Sequence, residues 1–185
     1  MEVKGTAVKS IKEYVEKKYG NQFNHWLDQL PDDSKKIMSG GIFANNWYPM
    51  KDAAVEPTKA IAKLFYQNDI KKAALESGRY SAEVGLKGVY KIFVRVASPN
   101  YIMQRAGRVF TSYYSPSDIS VVNSHDKGLT LHITKFPEPE EIIEYRIAGW
   151  CERALEFTNC KDVKAMITRS LAKGDQLTEI VITWN

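Results

Sequence analysis

"SPSDISVVNSHDKGLTLHITK", residues 115–135, decides the fold. Up to Tyr114 the apolar residues recur every three or four positions. Inside this stretch the period drops to two. Ile119 and Val121 alternate with Ser120, and Leu129, Leu131 and Ile133 alternate with Thr130, His132 and Thr134. Such alternation turns one face of a strand to the core and the other to water. "NSHDKG" supplies the turn, so the stretch predicts a β-hairpin with one buried face.

Upstream, the spacing predicts helices. Val8, Ile11, Val15 and Tyr19 form one stripe, closed by Gly20, and Phe23, Trp26, Leu27 and Leu30 form a second, stopped at Pro31. "SGGIFANNWYPM" reads as a loop. A third helix spans 52–67 through Ile61, Leu64 and Phe65, with Pro57 in its first turns or kinking it. Asn68 would cap a short helix ending at Gly78. "SAEVGLKGVYKIFVRVA" predicts a long buried helix through Val89, Tyr90, Phe93, Val94 and Ala97. Ser98 is its successor's N-cap and Pro99 the first helical position. That next helix runs through Ile102, Ala106, Val109, Phe110 and Tyr113.

Downstream, "FPEPEE" opens a helix with Glu138, Glu140 and Glu141 where the helix dipole favours negative charge. The helix buries Ile143, Ile147, Cys151 and Ala154. A second hairpin follows, with Val163, Ala165 and Ile167 on one strand, "AKGDQ" as the turn, and Ile180, Ile182 and Trp184 on the other. The predicted fold class is α+β: a helical N-terminal half packed on a four-stranded antiparallel sheet built as ββ-α-ββ. Its 185 residues are expected to form one domain, 1–185.

Composition narrows the function. Hydrophobic residues make up 44% and charged residues 26%, the balance of a globular chain. No run nears the ~18 apolar residues of a membrane span, and the start lacks the apolar core of a secretion signal. Two cysteines fit a reducing compartment, so a cytoplasmic location is expected. The net charge of +4 is uneven: residues 1–97 hold 16 Lys and Arg against 11 Asp and Glu. Lys9, Lys12, Lys17 and Lys18 could form an anion-binding face, but Glu13, Glu16 and Asp28 dilute it. A solvated helix face is the expectation, and no nucleic-acid partner.

Chemistry-bearing residues are sparse. Cys151 falls on the apolar stripe of its helix and packs as a small hydrophobe, while Cys160 lies in the following turn. Their nine-residue spacing leaves a redox pair open. His25, His125 and His132 are scattered, and His132 belongs to a strand's polar face. Glu140 and Glu144, one turn apart, read as part of an exposed helix start rather than a catalytic pair. The aromatic residues of the helical half could line a pocket or fill a core.

The tail "GWCERALEFTNCKDVKAMITRSLAKGDQLTEIVITW" resembles the C-terminal half of 4-vinyl-reductase-like domains. The likeness rests on the Gly149 helix, the Asp162-Val163 strand entry, the Gly174-Asp175 turn, and a last strand closing on Ile182 and Trp184. "YKIFVRVASPNYIMQRAGRVFTSYYSPSDISV" resembles the same superfamily, which includes haem nitric-oxide-binding domains and uncharacterised bacterial relatives. "WYPM", residues 47–50, is similar to the latter. The resemblance implies helices on a four-stranded sheet, with haem, aromatic effectors or acyl groups bound between them. Other relatives are subunits in vesicle tethering. Haem-binding members use a histidine on a central helix and a Tyr-x-Ser-x-Arg motif. Helix 99–114 has no histidine, and in Tyr113-Tyr114-Ser115-Pro116-Ser117 a serine stands where arginine would hold the haem carboxylates. Members with a late zinc site match only Cys151, since Thr168, Leu171 and Thr178 are not ligands.

The expected function is therefore a non-catalytic small-molecule-binding or sensory module, with neither haem nor zinc and no other cofactor. A small apolar or aromatic ligand would lie between helices and sheet, lined by Trp47, Tyr90, Phe93, Val94, Ile102, Ala106, Phe110, Tyr113 and Trp150. The alternative is a protein-interaction or scaffold subunit with a filled core, as a homodimer or with another protein. An enzyme related to the 4-vinyl reductases comes third, because no acid, base or nucleophile stands out.

Overall fold

A computed structural model describes residues 1–86 and 98–185. The chain opens with a short strand β1 (Glu2–Lys4) and helix α1 (Gly5–Lys18), which buries Ala7, Val8, Ile11, Tyr14 and Val15. Two short helices follow, α2 (Phe23–Asp28) and α3 (Asp32–Ser39), with Pro31 between them. Strand β2 (Trp47–Pro49) leads through a π-helical turn (Lys51–Val55) into α4 (Glu56–Phe65), and Pro57 sits in the first turn of α4 where its missing N–H costs nothing.

Helix α5 (Ile70–Gly85) differs from the sequence expectation at both ends. Its cap is Asp69, whose Oδ1 accepts from the Lys72 N–H at 2.9 Å, and Asn68 stands before it. The helix also runs on through Gly78. A glycine in that place looks like a stop but serves a helix crossing. A Cβ at Gly78 would lie 2.1 Å from the Arg146 carbonyl oxygen, and one at Gly149 would lie 2.2 Å from that of Leu75. Both partners belong to the crossing of α5 with α7 (Glu141–Glu156), the largest helix–helix contact in the described residues.

Before α7 come α6 (Pro99–Tyr113), β3 (Tyr114–Ser115), β4 (Asp118–His125) and β5 (Gly128–Lys135). Ser98 caps α6 as expected, its Oγ accepting from the Tyr101 N–H at 3.3 Å. After α7 come β6 (Lys164–Arg169) and β7 (Thr178–Thr183), joined by a turn in which Gly174 takes φ +92°. The fold class is α+β. Four antiparallel strands run in the order β4-β5-β7-β6, with Leu131 opposite Ile180 and Leu129 opposite Ile182. These four side chains, with Ile133, are buried beneath the helices.

A second sheet was not expected. β2, β1 and β3 pair antiparallel, with Val3 between Tyr48 and Tyr114. It replaces part of the loop reading of 39–50 and ties the N-terminus to the end of α6. Strands of two or three residues are too short to show a period in sequence.

Candidate ligand-binding site

The interior of the α5–α7 crossing is polar. Arg146 is 3% exposed, and its Nη1 donates to the Ser77 hydroxyl, itself fully buried. Burial lowers the affinity of this guanidinium for its proton, and nearby Tyr114 opposes the shift. The Arg146 Nε finds no acceptor among the described residues. One turn later on the same helix face, Trp150 is 4% exposed, and its indole N–H also lacks an acceptor among the described residues. The Trp150 ring meets Phe110 of α6 edge to face, centroids 5.0 Å apart.

Beside this core lies a cavity of about 230 Å3. Thr6, Lys9, Ser10 and Glu13 of α1, Ala44, Ser81, Val84 and Gly85 of α5, and Tyr113 of α6 line it. Ser81 is one helical turn from Ser77, and Tyr113 adjoins Tyr114, so cavity and polar core share two elements. Burial pushes the Tyr113 hydroxyl pKa up, with Tyr114 adding to it. A more open depression of about 320 Å3 lies between α1 and α5 around Tyr14, Lys18, Glu76 and Tyr80. There Lys18 donates to the Tyr14 and Tyr66 hydroxyls at 3.1 Å each, and those two hydroxyls bond each other. By contrast, the α7–sheet interface around Ile133, Phe136, Ile143 and Ile147 leaves no room even for a water. The expected place for a ligand, between helices and sheet, is filled there; among the described residues the larger spaces lie among helices, and a shallower one of about 150 Å3 lies between α7 and β6 beside Tyr145 and Ile167.

The residues predicted from sequence divide accordingly. Phe110 and Trp150 come together in the core, and Tyr113 lines the cavity. Ile102 is half-buried on α6. Trp47 is 37% exposed on β2, with the Lys4 ammonium 4.5 Å from its ring centroid, so it is a surface residue. Tyr90, Phe93 and Val94 lie outside the described residues, as does the Ala106 side chain. Sequence reasoning missed Arg146, Ser77 and Ser81. One signal was available: Arg146 interrupts the stripe Ile143, Ile147, Trp150 at a position facing the core.

Two polar residues also sit differently from expectation. Glu144 is buried, not part of an exposed helix start. Its carboxylate accepts from Ser170 Oγ at 2.6 Å, the Ala172 N–H at 3.3 Å and the Thr178 hydroxyl. His132 is half-buried, 2.9 Å from Glu179, rather than merely solvated. His25 and His125 are exposed. Cys151 is fully buried and burial pushes its thiol pKa up, while half-buried Cys160 lies 3.2 Å from the Thr158 hydroxyl. Both thiols are free, and no group of three His, Cys, Asp or Glu could hold a metal among the described residues. No helix among the described residues is long and apolar enough to cross a membrane.

No family model matches the chain, and no curated protein is similar to it. Solved structures are. An H-NOX protein from K. algicida in the Fe(II) unliganded state is 12% identical, with TM-score 0.70, covering 98% of this chain and 96% of that one. An H-NOX protein from S. oneidensis in the Fe(II)NO ligation state is 11% identical, with TM-score 0.73, covering 98% and 99%. A mutant of T. Tengcongensis H-NOX is 11% identical, with TM-score 0.64, covering 98% and 97%. At these identities the likeness concerns the fold alone: the chain is similar in its α+β architecture to these H-NOX structures.

Proposed function

We propose that this chain is a single-domain, non-catalytic small-molecule-binding or sensory module of the cytoplasm, over residues 1–185, that works without haem or zinc. Its ligand is small and apolar or aromatic. The observation that carries the reading is the cavity among α1, α5 and the end of α6, set beside a core with orphaned donors. The solved structures of like fold include one described as holding Fe(II) and NO, which supports ligand capture as the use of this architecture. The tail's resemblance to 4-vinyl-reductase-like domains points the same way. Tyr113 is on the wall of that cavity, and Phe110, Trp150, Tyr90, Phe93, Val94, Ile102 and Ala106 are the proposed remainder of the binding site. Trp47 gains no support from its exposed place.

A histidine-held haem does not fit the side chains present. Of the three histidines, His25 and His125 are exposed and His132 is bound to Glu179 on the sheet's outer face. None is on α6. Serine at 117 gives its hydroxyl to the Tyr114 carbonyl oxygen at 2.6 Å, and cannot clasp a carboxylate as arginine does. Protein mixed with haem and passed through gel filtration should emerge without a Soret band. A stable one-to-one band would overturn this part of the reading. The filled α7–sheet interface favours the second reading, a scaffold subunit joined to a second copy or another protein.

A further inference from the structure

We propose that the turn 43–47 docks this chain on an anionic lipid surface. The proposal goes beyond the small-molecule reading and does not depend on it. The turn is closed by the Asn46 N–H donating to the Phe43 carbonyl oxygen at 3.1 Å. Helix α1 has no side-chain cap, and the turn serves instead. The N–H groups of Gly5 and Thr6 donate to the carbonyl oxygens of Asn46 at 2.8 Å and Ala44 at 3.1 Å. The Thr6 hydroxyl donates to the same Ala44 oxygen at 3.1 Å, and the Tyr48 hydroxyl accepts from the Phe43 N–H at 2.9 Å. A Cβ at Gly5 would lie 2.0 Å from the Phe43 carbonyl oxygen, so glycine is what lets the turn seat this closely. These bonds fix the backbone while residues 43–47 all stay exposed. Phe43 is 67% exposed, the highest value of any large apolar side chain among the described residues, and Trp47 is 37% exposed.

Two aromatic side chains held in water on a fixed backbone call for something that covers them. The lysines say what. Lys4 stands opposite Trp47 in the β1–β2 pair, with its ammonium 4.5 Å from the Trp47 ring centroid. Lys12 donates to the Gly40 carbonyl oxygen at 3.2 Å, at the other root of the loop. Neither lysine makes an ion pair among the described residues, where Lys9, Lys18, Lys35, Lys59 and Lys173 do. Glu2, the acid on β1, stands opposite Pro49, farther from the tip than Lys4. Each root of the aromatic turn therefore carries a cation without a counter-charge. Aromatic rings at a tip with ammonium groups behind them match the layers of a membrane interface, rings at the acyl boundary and cations at the phosphates. A five-residue turn is too small for a stable protein interface, which covers about 800 Å2 of each partner. A bilayer accepts single side chains, and its cytoplasmic leaflet is anionic.

The test is co-sedimentation with vesicles of phosphatidylcholine alone and of equal parts phosphatidylcholine and phosphatidylglycerol. Tryptophan fluorescence gives a second readout on the unaltered chain. Of the four tryptophans, Trp26, Trp150 and Trp184 are buried, so a blue shift and protection from acrylamide on binding report Trp47. The wild type should bind the mixed vesicles about tenfold or more tightly than the neutral ones, and should lose that preference as salt is raised. The double variant Phe43→Ser, Trp47→Ser, folded by circular dichroism, should lose binding to the mixed vesicles by about tenfold or more. Lys4→Gln with Lys12→Gln should bind both vesicles alike. A wild type that binds neither vesicle overturns the proposal and leaves a protein as the cover of this turn. Binding without a change in Trp47 emission, binding that survives loss of both aromatic side chains, or equal binding of the wild type to neutral and anionic vesicles overturns it as well.

Discussion

Cys151 sits in the middle of α7 with no exposed surface, and its thiol is held protonated by burial. Its place on the apolar stripe was legible because periodicity reports which way a helical residue faces. Replacing it with alanine removes one packed sulfur and should cost about 1–2 kcal/mol in urea titrations, with no loss of ligand binding. Glu144 and Arg146 were not legible. Periodicity counts a polar residue as outward, and their partners, Ser170, Thr178 and Ser77, are remote in sequence. Glu156 shows what such long-range partners do. Burial pushes its carboxyl pKa up, but hydrogen bonds from Arg153 and Arg79 and their charges outweigh that and leave it lowered. A lowered folded-state value means stability that is present above the ordinary glutamate range and lost as pH falls through it. Glu156→Gln should therefore flatten the acid loss of stability below about pH 4.5, measured as the unfolding free energy against pH. An unchanged slope would show that the cluster of Arg79, Arg153 and Glu156 does not hold in solution.

Among the elements, the α5–α7 crossing is the most constrained. Gly78 and Gly149 each meet a backbone carbonyl group of the opposite helix, which no side chain movement can relieve. Gly78→Ala should destabilise by at least about 3 kcal/mol. Gly41→Ala, where nothing lies within 4 Å, should change stability by no more than about 0.5 kcal/mol. Equal effects would mean that the helices are not packed backbone to backbone. The sequence carried the ββ-α-ββ half well, since its alternation, the Ser98-Pro99 start and the Gly174 turn are local signals. It carried α5 poorly, because glycine's two uses, ending a helix and admitting a neighbour, look alike without the neighbour in view. The small β1–β2–β3 sheet was invisible for want of length.

At the scale of the whole molecule, an H-NOX-like architecture holds with 11–12% identity to the structures compared, so the fold depends on pattern more than on particular residues. The site is where the particular residues matter. Aromatic residues could be seen in the sequence as a set, but whether they enclose space depends on how helices seat against each other. Among the described residues the result is a filled interface where Ile143 and Ile147 of α7 meet Ile133, and an open cavity among α1, α5 and α6. The most direct test of the account is native mass spectrometry of the chain purified under native conditions, beside a Ser81→Trp variant that fills this cavity. The wild type should carry one small organic molecule per chain, and the variant, folded, should carry none. A wild type that carries nothing, or a variant that keeps the same adduct, would contradict ligand binding in this cavity; a haem adduct would contradict the haem-free module.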